Sequence, residues 1–424
     1  MPRPAENHEN HFKGGRETDS PPTTTTINQD QQYGAMSDQD QTQDTNNEGT
    51  FESDNSSTTA TQNNEAQNQQ SEDSSDSSSE SGVLYLGIDL GTSRTSVTAS
   101  NGIRETVASF VGYPKDVVAK KLLKKDVLFG SEAIEKRLSL NLYRPLGEGV
   151  LKHTLEGDKS GDDYDGNVKA ARDLIGEIIR LAQPRKDELI YAVIGCPAEA
   201  SFKNREAIIE AARQSVDSVM LCSEPFSVAY GLEMLDDVLV IDIGAGTTDL
   251  CRMHGTMPEE SDQTTLTFAG DTIDNELTRL LNENYPEAQF SLQMVKQIKE
   301  KYGAVGELMD AAVVELPVNG KPTPFDITNE IREACQTIIN PIVVGLGSLI
   351  GSFDPEFQHK LKDRVLLAGG GSQIKGLDKA IEAEMHRTLG SGHVIRVEEP
   401  MYGGANGALK IAHDMPAEYW EQLK

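Results

Sequence analysis

The pattern of apolar and polar residues changes abruptly at Val83. Short apolar runs follow it, and two of them are alike: residues 84–97 read LYLGIDLGTSRTSV, and residues 238–251 read VLVIDIGAGTTDLC. Each begins with apolar, β-forming residues, which is typical of a buried strand, and continues into a glycine-containing turn. The pattern therefore predicts an α/β protein in which one strand–turn unit occurs twice.

Helical periodicity and short apolar runs alternate along the rest of the chain. Apolar residues at helical spacing predict helices over residues 167–182, 201–214, 272–284, 291–302 and 374–389. Short apolar runs predict strands over residues 191–196, 219–222, 364–368 and 393–397, and a hairpin around Asn319-Gly320. A long helical stretch over residues 329–353 contains Pro341, which predicts a kink or a break.

The two like runs carry an aspartate at the same position. Asp89 and Asp242 each precede an apolar residue, a glycine and a cluster of small residues. Glycine lets backbone N–H groups approach an anion, hydroxyl groups add donors, and the aspartate is placed to hold a metal ion or its water shell. One such turn alone is commonly structural, whereas two facing each other would grip a polyphosphate from both sides.

Two further segments carry candidate chemistry. Glu224 lies at a predicted strand end just before a predicted helix, in a loop position where functional groups collect. One helix separates it from Asp242, so both carboxylates could face one cleft, although a capping or salt-bridged Glu224 is the alternative. The strand over residues 364–368 runs into Gly369-Gly370-Gly371-Ser372, where further backbone N–H groups could meet a nucleotide.

Residues 1–82 differ in composition from the rest of the chain. They hold 16 acidic and 3 basic residues, TTTT and SSDSSSES runs, and almost no branched apolar residues. Such a segment cannot bury enough surface to offset its loss of conformational entropy, so we expect a disordered tail. A tether, an electrostatic brush and a dispensable extension all fit this composition.

Charge, cysteine usage and hydropathy exclude several classes of protein. The formal net charge of −29 disfavours a nucleic-acid partner, because phosphate backbones attract Lys and Arg. The four cysteines show no CxxC spacing and the eight histidines no ligand spacing, so we expect buried free thiols rather than a zinc site. No apolar run approaches the ~20 residues that span a bilayer, and no signal peptide is evident. These features predict a soluble, intracellular protein.

The order of these motifs resembles the actin, Hsp70 and sugar-kinase ATPase superfamily. Within it the chain is similar to bacterial actins, and among them to the filament proteins of magnetosome chains. The motifs LGIDLGTSRT, VGYPKDV, SEPF, IDIGAGTTD, LAGGGS and EYW carry this resemblance, which covers about residues 84–424. It implies an actin-like ATPase fold with two duplicated lobes, each a mixed β-sheet flanked by helices, and ATP in the cleft between them.

The resemblance also implies a domain division. Residues 83–236 form domain I, completed by residues 399–424, and residues 237–398 form domain II, with a small subdomain over about residues 269–327. The tail, residues 1–82, is the clear departure from bacterial actins, which start a few residues before the first strand.

The resemblance assigns roles residue by residue. Glu224 matches the carboxylate that orients the attacking water, and Asp242 the partner acid; Asp89 and Asp242 hold Mg²⁺ through water. Lys299 and Glu300 match a pair near the ribose and base, although an exposed Lys–Glu pair on a helix is common. The remaining cofactor-binding positions belong to the first phosphate motif, the second phosphate motif and the adenosine motif: Asp89, Gly91, Thr92, Ser93 and Thr95; Gly244, Gly246, Thr247 and Thr248; and Gly369, Gly370, Gly371 and Ser372.

The function implied is an ATPase that assembles head to tail with itself into cytoplasmic, cytoskeletal filaments. Magnetosome-associated proteins are its implied further partners. A monomeric chaperone of the Hsp70 kind would need a substrate-binding domain of some 150–250 residues after the ATPase core, and this chain ends at Lys424. A small-molecule kinase on the same fold would need a catalytic Asp beside an acceptor pocket, for which the sequence offers no clear candidate.

Overall fold

The computed structural model describes residues 82–152, 164–306 and 311–423. The predicted tail, residues 1–82, lies outside these ranges except for Gly82. The described residues belong to one compact unit, in which two five-stranded sheets each form the centre of a lobe. We call them lobe I and lobe II.

Lobe I contains the first fifteen strands and helices of the described residues. They are β1 (Val83–Leu90), β2 (Arg94–Ala99), β3 (Arg104–Ala108), β4 (Val111–Pro114), α1 (Val117–Leu123), β5 (Leu128–Phe129), α2 (Gly130–Glu135), β6 (Leu140–Tyr143), β7 (Leu146–Gly147), β8 (Val150–Leu151), α3 (Tyr164–Leu181), β9 (Leu189–Cys196), α4 (Phe202–Ala212), β10 (Ser218–Ser223) and α5 (Glu224–Gly231).

The chain then builds lobe II, and its last two helices return to pack on lobe I. These elements are β11 (Val238–Ile243), β12 (Thr248–Met253), β13 (Gln263–Leu266), α6 (Gly270–Asn284), α7 (Leu292–Tyr302), β14 (Val313–Val318), β15 (Lys321–Asp326), α8 (Thr328–Gln336), α9 (Ile339–Gly351), α10 (Gln358–Lys362), β16 (Val365–Ala368), α11 (Leu377–Leu389), β17 (Val394–Arg396), α12 (Gly403–Asp414) and α13 (Ala417–Gln422).

The two large sheets have the same topology. The strand order is β3-β2-β1-β9-β10 in lobe I and β13-β12-β11-β16-β17 in lobe II. In each sheet the first three strands are antiparallel and the last two run parallel to the central one. The duplicated strand–turn unit is thus confirmed, with each turn at the end of the central strand of its sheet.

Helices α5 and α12 lie between the two sheets. An apolar core there joins Val193 of β9, Val228 of α5, Val240 of β11 and Ala408 of α12. The backbones approach so closely that a side chain on Gly407 would clash with the carbonyl group of Ser227. Small residues of the YGGANGA run thus let α12 pack closely on its neighbours, Gly407 against α5 and Ala405 against Gly87 of β1.

The predicted long helix is two helices in the structure. The predicted break is present at residues 337–338, and Pro341 lies in the first turn of the second helix, where proline is tolerated. Among the described residues this stretch, Thr328–Gly351, is long and apolar enough to cross a membrane by length and composition, so the expectation that no run reaches that length is wrong here. Its buried face, including Ile331 and Leu346, packs in the core of lobe II.

The cysteines agree with the expectation of free thiols. Cys196, Cys251 and Cys335 are buried, Cys222 is partly buried, and none forms a disulfide. Burial raises the pKa of each thiol above its ordinary value, which makes these groups unreactive at neutral pH.

Candidate functional site

The two hairpins bring their turns together across the cleft between the lobes. Turn 1, residues 91–94, joins β1 to β2, and turn 2, residues 244–247, joins β11 to β12. A Cβ atom built on Gly246 would lie 2.6 Å from Oγ1 of Thr92, closer than real Cβ atoms approach a neighbour. The Thr92 hydroxyl also accepts a hydrogen bond of 2.9 Å from the N–H of Gly149. Only glycine fits where turn 2 meets turn 1.

A cavity of about 330 Å³ lies beside the two turns, a volume within the range of small-molecule sites. Both turns, the first residue of α5, the last part of α7 and the glycine run after β16 contribute to its wall. The predicted site residues in this wall are Asp89, Gly91, Thr92, Ser93, Glu224, Asp242, Gly244, Gly246, Thr247, Lys299, Glu300, Gly369, Gly370 and Gly371. The structure thus brings segments from distant parts of the sequence to one cavity.

Three predicted residues lie behind the wall. Thr95, Thr248 and Ser372 are fully buried. Oγ1 of Thr95 shares a hydrogen bond with Oγ of Ser109, Oγ1 of Thr248 donates to the carbonyl of Phe268, and Oγ of Ser372 donates to that of Gly369. These three side chains therefore do not line the cavity, and each hydroxyl is hydrogen-bonded to a protein group instead.

Three carboxylates meet in the cavity: Asp89 near the end of β1, Asp242 near the end of β11, and Glu224. Glu224 is the first residue of α5, not a loop residue as the sequence predicted. Burial raises the pKa of Asp89 to about 6. Burial, and then repulsion from the other carboxylates, raises the pKa of both Glu224 and Asp242 well above its ordinary value.

The carboxylates fit a hydrated magnesium ion. Among the described residues, no donor makes a hydrogen bond to the side chain of Asp89, Glu224 or Asp242, so a divalent cation would offset a repulsion that the protein leaves uncompensated. The described residues contain no group of three or more His, Cys, Asp or Glu side chains placed to hold an ion directly. Mg²⁺ retains most of its waters and needs few carboxylates, which agrees with this arrangement.

Asp249 is a fourth buried carboxylate that the sequence analysis did not single out. It pairs with Asp242 across the β11–β12 hairpin, where the lobe I hairpin has Ser96 opposite Asp89. Its Oδ1 accepts hydrogen bonds from the N–H of Ala198 and the hydroxyl of Thr265. Asp249 is the last residue of the IDIGAGTTD motif, so the sequence motif itself could have identified it as a candidate site residue.

The glycine run after β16 closes one side of the cavity. Gly369 has a φ of +76°, and a side chain there would clash with the carboxylate of Asp242 and the backbone of Ile243. Glycine tolerates both the left-handed conformation and the close approach. This run therefore lies directly against the second predicted metal-holding aspartate.

Lys299 and Glu300 reach the cavity from α7, but both have protein partners. Nζ of Lys299 donates to the carbonyl of Gly270 at 2.7 Å and lies 2.9 Å from Oδ1 of Asp274. The carboxylate of Glu300 pairs with Nη2 of Arg94, across the cleft, at 3.2 Å. Lys299 thus supports the start of α6 near turn 2, and Glu300 joins α7 to turn 1.

Lys296 is a cation in the cavity wall that the sequence analysis missed. It lies one helical turn before Lys299 on α7, and its Nζ donates a hydrogen bond to Oγ of Ser93 in turn 1. Burial, and then the nearby guanidinium of Arg144, lowers its pKa below the ordinary value. The i, i+3 spacing to Lys299 was a signal that these two side chains share a helix face.

The duplicated lobes, the paired turns and the carboxylates between them define an actin-like fold. The profile of the family described as MreB/Mbl protein matches residues 84–418. The chain therefore belongs to the MreB/Mbl family, which confirms the resemblance to bacterial actins.

Two curated relatives align with the chain over most of their length. It is 38% identical over 340 residues to the actin-like protein MamK of Paramagnetospirillum magneticum, covering 80% of this chain and 95% of that protein. It is 39% identical over 340 residues to MamK of Magnetospirillum gryphiswaldense, covering 80% and 92%.

Solved structures agree with these sequence relationships. The MamK double helical filament matches with a TM-score of 0.74 at 37% identity, covering 79% of this chain and 100% of that one. A non-polymerising MamK mutant bound to AMPPNP matches with a TM-score of 0.59 at 37% identity, covering 78% and 99%. MreB5 of Spiroplasma citri, at 18% identity, a TM-score of 0.63 and coverage of 78% and 96%, shows the fold alone.

Proposed function

We propose that this chain is a cytoskeletal protein that binds and hydrolyses ATP with Mg²⁺ and assembles head to tail into cytoplasmic filaments that organise magnetosomes. The observation that carries the proposal is the meeting of turns 1 and 2 beside a cavity that also holds Asp89, Glu224 and Asp242. Backbone N–H groups and carboxylates at one cleft suit a phosphate chain and its cation.

The two turns bind the phosphates in this proposal. Gly91 and Gly244 leave room for phosphate oxygens to approach the backbone, and the hydroxyls of Ser93 and Thr247 line the same cavity. Lys296 adds a positive charge beside turn 1. Since each lobe supplies one turn, bound nucleotide holds the lobes together.

Hydrolysis needs charge neutralisation, an in-line water and a group that orients that water. Bound Mg²⁺ supplies the neutralisation. Asp89 and Asp242 would hold the ion through its waters, and Glu224 orients the attacking water. A carboxylate whose pKa is raised accepts a proton from water more readily than an ordinary one, and burial together with repulsion raises the pKa of Glu224.

The nucleoside end of ATP lies along α7 and the glycine run. Lys299 and Glu300 flank the ribose and base, and Gly369, Gly370 and Gly371 leave room for the adenosine. All five residues line the same cavity as the turns, which supports this placement.

Assembly with further copies is supported by the MamK relatives, one of which was solved as a double helical filament. In this chain α1 offers a surface that a second copy could cover. Val117, Val118 and Leu122 are 84%, 76% and 71% exposed, and Lys120, Lys121, Lys124 and Lys125 accompany them. A contact between unlike surfaces of successive copies does not close on itself and so yields filaments.

Electron microscopy of the purified protein with and without ATP and Mg²⁺, together with phosphate release, tests the proposal. We expect filaments and phosphate release when both ATP and Mg²⁺ are present. Phosphate release by protein that stays monomeric would instead favour an Hsp70-like or other monomeric ATPase or kinase. The absence of both filaments and phosphate release would refute the proposal.

A further inference from the structure

Arg144 makes contact with both sides of the cleft. It lies between β6 and β7 of lobe I, and its Nε donates a hydrogen bond of 3.0 Å to the carbonyl oxygen of Thr92 in turn 1. Its Nη2 donates to both carboxylate oxygens of Asp271 in lobe II, at 2.9 and 3.2 Å. One guanidinium group therefore joins turn 1 to the opposite lobe.

Asp271 is in turn fixed to turn 2. It is the second residue of α6, and its N–H donates to the carbonyl oxygen of Ala245 at 2.7 Å. The preceding N–H, of Gly270, donates to the carbonyl of Gly244 at 3.2 Å. A continuous path of hydrogen bonds thus runs from Thr92 through Arg144 and Asp271 to Ala245, from one turn to the other.

The other polar contacts of turn 1 with lobe II follow a different route. Arg94 pairs with Glu300, and Ser93 accepts from Lys296, so both contacts end on α7 instead of turn 2. Arg144 itself is not part of the cavity wall. Arg144 therefore affects a bound nucleotide through the position of the turns, apart from the effect of its charge on Lys296 in the cavity wall.

We propose that Arg144 is a positioning residue that sets the spacing of turns 1 and 2, and with it the preference of the site for a nucleoside triphosphate over a diphosphate. This inference rests on the proposed ATP function. The γ-phosphate lies where both turns must reach the ligand, whereas a diphosphate demands less of their spacing. Removing the contact that Arg144 makes between Thr92 and Asp271 therefore weakens triphosphate binding more than diphosphate binding.

The chemistry of arginine suits this position. Its planar guanidinium presents several N–H groups at fixed angles, so it can satisfy a carbonyl and a carboxylate together, which the single ammonium group of lysine does less well. The side chains of Arg144 and Asp271 are 24% and 34% exposed, so water screens the ion pair only in part.

The test measures the affinities of the full-length protein for AMPPNP and for ADP, both with Mg²⁺, below the concentration at which it assembles. Arg144→Ala should weaken AMPPNP binding about tenfold and ADP binding less than about twofold. Arg144→Lys should shift the ratio of the two affinities in the same direction by a smaller amount. The control is Arg396→Ala, which breaks a similarly exposed ion pair with Asp378 that does not touch either turn.

A double-mutant comparison tests the route. If Arg144 acts through Asp271, the double variant Arg144→Ala/Asp271→Ala should change the affinity ratio no more than the larger single change. An additive change in the double variant, or a wild-type ratio in Arg144→Ala, overturns the inference while leaving the proposed function intact. Wild-type protein that binds neither nucleotide overturns both. If Arg144→Ala fails to fold, the ratio of AMPPNP to ADP affinity is measured for Arg144→Lys and Asp271→Asn instead. A shifted ratio would support the inference, and a wild-type ratio would refute it.

Discussion

Gly246 of lobe II and Thr92 of lobe I meet so closely that a Cβ atom on the glycine would lie 2.6 Å from the threonine hydroxyl oxygen. The contact joins residues 154 positions apart in the sequence, each in one of the two repeated turns. Backbone atoms of Glu148 lie 2.9 Å from the same Cβ position, so the site has no room to adjust around a methyl group. The close approach of the two lobes therefore depends on the absence of a side chain at Gly246.

Gly246→Ala should hold the turns apart and abolish ATP-dependent phosphate release while leaving each lobe folded. The added methyl group would meet backbone atoms, which cannot rotate away as a flexible side chain could. Gly351→Ala is the matched control, since no atom lies within 4 Å of its Cβ position. Circular dichroism and phosphate release check the prediction, and normal turnover in Gly246→Ala would contradict it.

Glu224→Ala should retain ATP binding and assembly but lose phosphate release. The substitution removes the proposed water-orienting carboxylate and leaves both turns in place, so the rate should fall by about 10²-fold or more. Glu199→Ala, which removes an exposed carboxylate outside the cavity wall, is the control. Single-turnover hydrolysis with pelleting in parallel measures both properties, and undiminished hydrolysis would refute the role of Glu224.

Asp242→Asn should stabilise the nucleotide-free protein and weaken Mg²⁺-dependent hydrolysis. Removing one buried charge relieves a repulsion that adds to burial in raising the pKa of Glu224, which we expect to increase the free energy of unfolding at neutral pH by about 1–3 kcal/mol. Denaturant unfolding without nucleotide and a Mg²⁺ titration of hydrolysis provide the two measurements. A less stable variant, or one with wild-type Mg²⁺ dependence, would count against the carboxylate cluster as a cation site.

The same cluster fixes the sign of the pH dependence. Asp89 has a pKa raised from its ordinary value of 3.8 to about 6, so between these values the folded protein binds more protons than the unfolded chain. The contribution of Asp89 to the free energy of unfolding of the nucleotide-free wild type should therefore fall as pH rises through this window. Because the pKa of Asp242 is also raised, Asp242→Asn removes a group that takes up protons in the folded protein, so the fall should be shallower in this variant.

Val118→Ser/Leu122→Ser should reduce ATP-dependent pelleting without changing ATP affinity. The two side chains lie four residues apart on one face of α1, are largely exposed, and do not belong to the cavity wall. Phe202→Ser, at another exposed apolar position, is the control. Pelleting assays over a range of protein concentrations would show a raised critical concentration, and an unchanged one would exclude α1 from the subunit contact.

The sequence predicted the parts of the fold that are local. Strand patterns identified both hairpins, and helical periodicity located α3, α4, α6, α7 and α11 within a few residues of their observed ends. Pro341 predicted a kink or a break in the stretch 329–353, and the structure confirms a break at residues 337–338.

The contacts that complete the site could not be predicted in the same way. Arg144, Asp271 and Lys296 come together only because separate elements of the two lobes pack against each other, and no spacing in the sequence encodes that meeting. Thr95 and Thr248 were assigned to the cavity because they match the two phosphate motifs, yet both follow the turns into β2 and β12, where their side chains are buried. Side-chain direction along a strand alternates, so one residue of displacement reverses the face.

Electron cryomicroscopy of the protein assembled with AMPPNP and Mg²⁺ tests the central claim most directly. The account predicts filaments in which each subunit holds one nucleotide, with its phosphates between residues 91–94 and 244–247 and density for a cation near Asp89 and Asp242. Filaments whose cleft holds no nucleotide, or a nucleotide bound away from these two turns, would contradict it.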